Sequence, residues 1–501
     1  MSQIIPFGDY TPDLPALGNP GATTAKNVLP AKVGYTGLPS LVGYSDGLTA
    51  YCRGAFSAMD TDGNVNSYSG DATKLYRLVG GTQTDSSKVG GYSCAADSYW
   101  EFAKFGNKAI ATNFDDNIQS LTLGGSTFAD LSAGAPKARH ISVVRDFVMV
   151  GNTYDASDGN VPNRVRWSAL NDETDWTVSA TTQADYQDLQ GNGGWVQSIV
   201  GGERAVIFQE RSIWLASYVG SPVVFQFDKI EDARGAFCPR GTIMVGGVVY
   251  YIADDGFYAI SGGQSVPIGF GKIDRTFLAD LNDDYLHRVT AAAIPNEKVI
   301  MWSYPGSGSA DGTPNKVVLY NWAAQKWATA EFDHELVFRA MSVGVTLDGL
   351  DALYPQLDSI PFSLDSKVWM GGKLQLAAFN TSHELAYFTG TDLSGVIETG
   401  EFQPAGAEGG RSEITEVTPI VDGGTHTVQM GTRETQAGTI SWGSASSENA
   451  SGICPVRSNS RYHRVRVNTS GDFNSASGVL VMAFRLVVDE PCNQPRPAQL
   501  A

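Results

Sequence analysis

From Tyr51 onward, short apolar strands come in pairs around Gly, Asp or Asn turns, and the pairs recur at spacings of about 35–55 residues without repeating one another's wording. An isolated hairpin buries too little surface to stand alone, so such a chain must stack small antiparallel sheets. Gly246-Gly-Val-Val-Tyr-Tyr-Ile-Ala-Asp-Asp-Gly-Phe-Tyr-Ala-Ile260 is the cleanest unit, with Asp254-Asp255-Gly256 as its hairpin turn. Four-stranded units of roughly 40–50 residues, packed face to face, are the blades of a β-propeller.

Two aromatic cassettes fit the same plan. In Asn163-Arg-Val-Arg-Trp-Ser-Ala-Leu-Asn-Asp-Glu-Thr-Asp-Trp176, period-2 alternation puts Val165 and Trp167 on one strand face and Arg164 and Arg166 on the other. Asn171, Asp172 and Asp175 then supply turn chemistry before Trp176 returns to apolar contact. Lys316 to Trp327 repeats the logic, with Trp322 beside the turn and Trp327 closing the blade edge. Trp167, Trp176, Trp322 and Trp327 are read as blade structure, not as a recognition motif.

With 56 Gly, 22 Pro, 10% aromatic and only 18% charged residues, the composition favours many short strands and tight turns over helices. At 501 residues the chain exceeds one ordinary core. The expected class is therefore mainly β. A Pro- and Gly-rich lead over 1–50, with prolines at 6, 12, 15, 20, 30 and 39, reads as an extended N-terminal arm. The β-propeller is expected over 51–398, an additional C-terminal β platform domain of sandwich or barrel type over 399–492, and a tail over 493–501. One segment departs from the β pattern: Phe277, Leu278, Leu281 and Tyr285 fall at helical spacing behind Asp274, a candidate cap, which predicts a short inserted helix.

A net charge of −18 excludes a protein that clamps DNA or anionic membrane by neutralising phosphates, although it suits a wall past which DNA slides. Cys52, Cys94, Cys238, Cys454 and Cys492 are scattered and include no Cys-x-x-Cys, so neither a zinc site nor a disulfide framework is expected. No basic n-region with an apolar core opens the chain, and no apolar run is long enough for a membrane span. Synthesis and folding in cytosol are expected.

Candidate chemistry is sparse. Asp60-Thr-Asp-Gly-Asn64 resembles the start of a calcium loop but lacks the closing Glu, so a turn is the better reading. Asp115-Asp116, Asp254-Asp255 and Asp283-Asp284 are adjacent carboxylates, which on a strand point to opposite faces and make poor acid/base partners. The six histidines form no metal-binding or triad spacing, and no Gly-Lys-Ser/Thr phosphate loop occurs. No catalytic residue, cofactor or metal is expected. The strongest basic feature is Arg457-Ser-Asn-Ser-Arg-Tyr-His-Arg-Val-Arg466; in this acidic chain Arg457, Arg461, Arg464 and Arg466 are candidates for a subunit or DNA-channel contact.

In order, the Pro/Gly lead, Asp60-Thr-Asp-Gly63, Gly70-Asp71-Ala-Thr-Lys-Leu-Tyr76, Arg166 to Trp176, the blades and Arg461-Tyr-His-Arg-Val-Arg466 resemble the tail-nozzle, or packaged-DNA stabilisation, proteins of short-tailed bacteriophages. That resemblance implies a non-enzymatic virion protein in a homohexameric ring below the portal and the head-to-tail adaptor protein, assembled in the host cytoplasm. It implies contact with tail fibre or tail needle proteins, and double-stranded DNA in transit without sequence-specific binding. The alternative class is a receptor-binding or glycan-cleaving propeller of the tail.

Overall fold

The computed structural model describes residues 2–294, 296–344, 350–351, 356, 360, 363–404 and 410–485; Cys492 and the expected tail over 493–501 lie outside them. Two compact units emerge, one over 38–391 and one that joins 1–37 to 392–501.

The first unit is the propeller. Seven four-stranded antiparallel meanders follow one another, six of them separate sheets. Blades 1 to 6 span 54–85, 101–130, 137–188, 196–231, 243–267 and 290–331. Blade 7 combines Leu336–Met341, Leu374–Phe379 and Glu384–Asp392 with Pro39–Gly47 as its outer strand. The ring is thus closed by a strand from near the N-terminus, as the hydrogen bond from Leu385 N–H to Ser45 Oγ (3.1 Å) illustrates. The first strands of all seven blades line one axial cavity of about 380 Å³.

Apolar contact is concentrated between blades. Trp100 packs with Tyr68, Leu75 and Phe128 between blades 1 and 2. Ile110, Ile141, Val150 and Trp176 fill the next wedge, and Trp167, Val196, Ile207 and Phe225 the one after. The 7–1 wedge holds Tyr44, Tyr76, Leu336 and Phe379. Polar staples also join neighbouring blades: the Trp100 indole donates to Asp71 O of blade 1 and the Trp302 indole of blade 6 to Gly241 O just ahead of blade 5, both at 2.9 Å. Flat sheets stacked radially bury both faces, which explains why the middle strands, such as Phe147–Asp155 and Val299–Tyr304, are buried almost throughout.

The described residues of the second unit form a sheet built on two unusually long antiparallel strands. Ser412–Arg433 and Tyr462–Arg485, of 22 and 24 residues, pair antiparallel from Ser412↔Arg485 to Arg433↔Tyr462. Both strands run through a glycine-rich middle without ending there. Instead Gly423 and Gly424, with φ of 89° and 71°, and Gly471, with φ of 75°, take up an irregularity in which both strands bulge and then resume pairing. Cys454–Ser460 also pairs with Ser412–Arg433, and Gly395–Thr399 and Ser2–Pro6 pair with Tyr462–Arg485.

The boundaries expected from sequence therefore shift. The lead over 1–50 is extended, but it is paired and not a free arm: Ala22–Lys26 pairs with Gly395–Thr399, Phe7 and Tyr35 are buried, and Pro39–Gly47 belongs to blade 7. The expected boundary between 398 and 399 moves back to Asp392, since Gly395–Thr399 already pairs within the second unit; residues 405–409 lie outside the described ones. The inserted helix is present but shorter, Asp274–Asp280, followed by a 3₁₀ segment Asp283–Arg288. Asp274 is not its cap: it lies inside the helix, and its Oδ1 accepts from Phe257 N–H at 3.1 Å.

Candidate functional site

The end of the propeller at which the first strand of each blade begins carries a recess unlike the rest of this acidic protein. Its inner part, about 250 Å³, is lined by Tyr51, Arg53, Tyr99, Arg240, His287 and Arg288. Tyr99 and His287 also border an adjoining hollow of about 510 Å³, where Arg139 and Arg211 face Asp97, Glu210 and Asp254 beside Trp195 and Gln197. These residues occupy equivalent places in successive blades: Arg53, Tyr99, Trp195, Arg240 and Arg288 each lie one to three positions before a first strand.

The arginines are held by rings and carbonyls. The Arg240 guanidinium lies 4.9 Å from the Tyr99 ring centre, that of Arg288 lies 4.7 Å from Tyr51, and that of Arg139 lies 4.4 Å from Phe114. Arg53 donates to Cys94 O (3.1 Å) and Ser98 O (3.3 Å), and Arg288 to Asp311 O (3.0 Å). Among the described residues none of these four is ion-paired, whereas Arg164, Arg433 and Arg466 are. Burial, aided by Arg288, pushes His287 down to about 4, and its Nε2 is buried with no hydrogen-bond partner among the described residues.

Asp97, Glu210 and Asp254 are exposed on the wall of the larger hollow, whereas other acids close by are committed. Glu101 bridges blades 2 and 3, meeting His140 Nδ1 at 3.0 Å and accepting from Ile141 N–H at 3.0 Å. Glu335 accepts from Cys52 N–H at 2.8 Å and pairs with His383. Asp311, in the inner recess, accepts from Thr313 N–H (3.0 Å) and Thr313 Oγ1–H (2.9 Å).

The residues singled out from sequence fall elsewhere. Trp167 and Trp176 are buried, and their indoles donate to Gln183 O and Glu173 O, both at 2.9 Å. Trp327 is fully buried, its ring centre 5.0 Å from that of Phe257, while Trp322 is only half-buried. The expected alternation of Val165 and Trp167 against Arg164 and Arg166 holds, but Arg164 is also buried, paired to Asp188 at 2.6 Å.

The four C-terminal arginines are not equivalent. Arg457 is extended into solvent and touches Glu413 at 3.3 Å, and Arg461 is exposed. Arg466 pairs with Glu398 at 2.6 Å and lies 3.8 Å over the Trp442 ring. Burial lowers the pKa of Arg464, whose Nε has no partner among the described residues. His463, Val465 and Val467 take the opposite, buried face, as period 2 requires.

The Asp60 loop is a turn closed on itself: Asp60 Oδ1 accepts from Asp62 N–H (3.0 Å) and Asn64 N–H (2.8 Å), and Oδ2 from the Asn66 amide (3.2 Å). Among the described residues no group of three or more His, Cys, Asp or Glu side chains is placed to hold a metal. The four described cysteines are buried free thiols. No helix among the described residues is long and apolar enough to cross a membrane.

Two solved propellers resemble the chain. YCF48 bound to D1 peptide is 11% identical, with a TM-score of 0.39 and coverage of 71% of this chain and 98% of that one. The Neurospora crassa Pan2 WD40 domain is 7% identical, with a TM-score of 0.38 and coverage of 72% and 96%. No family model and no curated protein matches. Nothing about function follows from likenesses this distant.

The recess was missed in the sequence because its residues are far apart and unremarkable singly. The signal that would have found it is positional: aromatic and Arg residues recur just ahead of the first strand of several blades.

Proposed function

We propose that this chain is a structural, non-catalytic subunit of a short-tailed bacteriophage tail, a nozzle that assembles as a ring below the portal and adaptor, retains packaged DNA and forms the channel for its ejection. The observation that carries this reading is the long antiparallel pair of Ser412–Arg433 and Tyr462–Arg485, in a chain that also builds a propeller. Strands of 22 and 24 residues are several times the usual length. A continuous pair of this kind is suited to forming the wall of a ring, and a propeller to serving as a rigid block with short, protected edges.

The charge supports the same reading. A surface with a net −18 repels phosphate, so DNA would slide past it without adhering. Arg457 and Arg461, exposed beside the long strands, are the residues proposed to meet an acidic neighbour in the ring. In this reading the protein resides in the virion tail, is assembled in the host cytoplasm, and contacts the adaptor and tail fibre or needle proteins.

Negative-stain imaging and native mass spectrometry of the purified chain, alone and with an adaptor ring, test it. Hexameric rings with a central hole wide enough for duplex DNA are expected. A monomer that stays monomeric and binds no adaptor ring overturns the proposal, as does turnover of a host polysaccharide.

A further inference from the structure

The arginine-rich recess is not used by the ring reading, and its chemistry points outward. Three guanidinium groups, those of Arg53, Arg240 and Arg288, line a hollow of about 250 Å³, and Arg139 lines the one that adjoins it. Against the one carboxylate residue that lines this inner hollow, Asp311, three arginines without a carboxylate partner among the described residues leave its wall net positive and suited to an anion, whereas the adjoining hollow sets Arg139 and Arg211 against Asp97, Glu210 and Asp254. The positions of Arg139, Arg240 and Arg288 are set by ring faces and backbone carbonyls, so their remaining N–H donors are pre-organised without a carboxylate partner.

The larger hollow narrows the chemistry. Trp195 borders it and is 49% exposed, an unusual state for an indole on a concave surface. Gln197 and Glu210 offer an amide and a carboxylate alongside it. An exposed indole face, hydroxyl-reading side chains and adjacent arginines are complementary to a sugar ring: its C–H face stacks on Trp195, its hydroxyls meet the polar side chains, and a carboxylate on a neighbouring unit reaches the arginines. The two hollows, about 250 and 510 Å³, match a short saccharide segment. A nucleic acid strand would need a basic track along its backbone, and this enclosed recess in an acidic protein offers none.

We propose that the axial recess of the propeller binds acidic oligosaccharide, with Arg240 and Arg288 as the carboxylate-reading residues and Trp195 as the stacking platform. Binding requires no bond to break. It is independent of the ring proposal: rings that bind no acidic sugar would overturn this inference alone, and a monomer that binds it would overturn only the other.

The test is isothermal titration calorimetry of the full chain with an oligogalacturonate, a neutral cello-oligosaccharide of equal length and a single-stranded oligonucleotide. The oligogalacturonate should bind saturably and more weakly as salt is raised, and the other two should not bind. Arg240→Gln and Arg288→Gln should each weaken it about tenfold, and Trp195→Ala by a similar factor. Thermal melting checks that each variant is folded; should either arginine variant fail, Arg139→Gln, whose guanidinium rests on the Phe114 ring, is read in its place. Absence of oligogalacturonate binding, equal binding of the neutral sugar, tighter binding of the oligonucleotide, or unchanged affinity in the folded arginine variants overturns the proposal.

Discussion

Trp167 and Trp176, separated by a nine-residue step in sequence, enter opposite faces of blade 3. Trp167 meets Phe225 of blade 4 edge-on, with ring centres 5.2 Å apart, while Trp176 packs with Ile110 and Ile118 of blade 2. One cassette therefore fastens its blade on both sides. Replacing either by Ala should cost about 3–5 kcal/mol in urea unfolding. Trp322→Ala should cost far less, because that side chain is only half-buried. Equal losses at all three positions would contradict the wedge assignment.

Asp71, fully buried in the turn between the second and third strands of blade 1, ties that turn to the chain that precedes the blade. Its Oδ1 accepts from Thr73 and Lys74 N–H at 2.7 Å each, and its Oδ2 from the hydroxyls of Thr49 and Tyr76 at 2.8 Å each. Asp71→Ala leaves buried donors unpaired, and a loss of roughly 3–5 kcal/mol is expected by chemical denaturation. A loss below about 1 kcal/mol would show that water replaces the carboxylate without penalty.

In the second unit, Arg433 grips Glu401 with two parallel contacts of 2.6 Å, and the Glu401 side chain is 1% exposed. Arg433→Met should destabilise by about 3–5 kcal/mol, since it strands a buried carboxylate. Adding Glu401→Leu should recover much of that loss, so a double-mutant cycle with additive effects would refute the coupling.

His334 makes stability depend on pH. It is fully buried and neutral, with Nδ1 directed at Phe332 O and Nε2 at Ser303 Oγ, and burial holds its pKa down to about 4. The unfolded chain, with the ordinary histidine value of 6.5, takes up a proton that the folded chain refuses. The contribution is thus complete above pH 6.5 and is lost as the pH falls from there to about 4, by roughly 3 kcal/mol at about 1.4 kcal/mol per pH unit. Unfolding free energies at several pH values should show a shallower acid slope in His334→Gln than in the natural chain; identical slopes would rule the residue out.

The local patterns were legible where one face of a strand is buried. Val165 and Trp167, the Asp254-Asp255 turn and the alternation from Tyr462 to Val467 all follow from period-2 burial and turn chemistry. Gly423-Gly424 was not decidable locally, because the same positive φ that makes a turn also serves a bulge, and which one forms depends on whether the partner strand continues. Period 2 assigns Arg164 and Arg166 to the other face but does not say what covers it; Asp188 on the adjacent outer strand pairs with Arg164.

What the sequence determined by itself was a chain of short antiparallel strands with apolar faces to stack, an acidic balance, and the turns between strands, because each depends on neighbours within a few residues. Only tertiary structure decided that Pro39–Gly47 completes blade 7, that the first 37 residues join the C-terminal sheet, and that Arg53, Arg240 and Arg288 share one recess. Those relations span hundreds of residues and arise from closing the ring. No local periodicity encodes them, since the surface each strand needs to bury is indifferent to how far along the chain its partner lies.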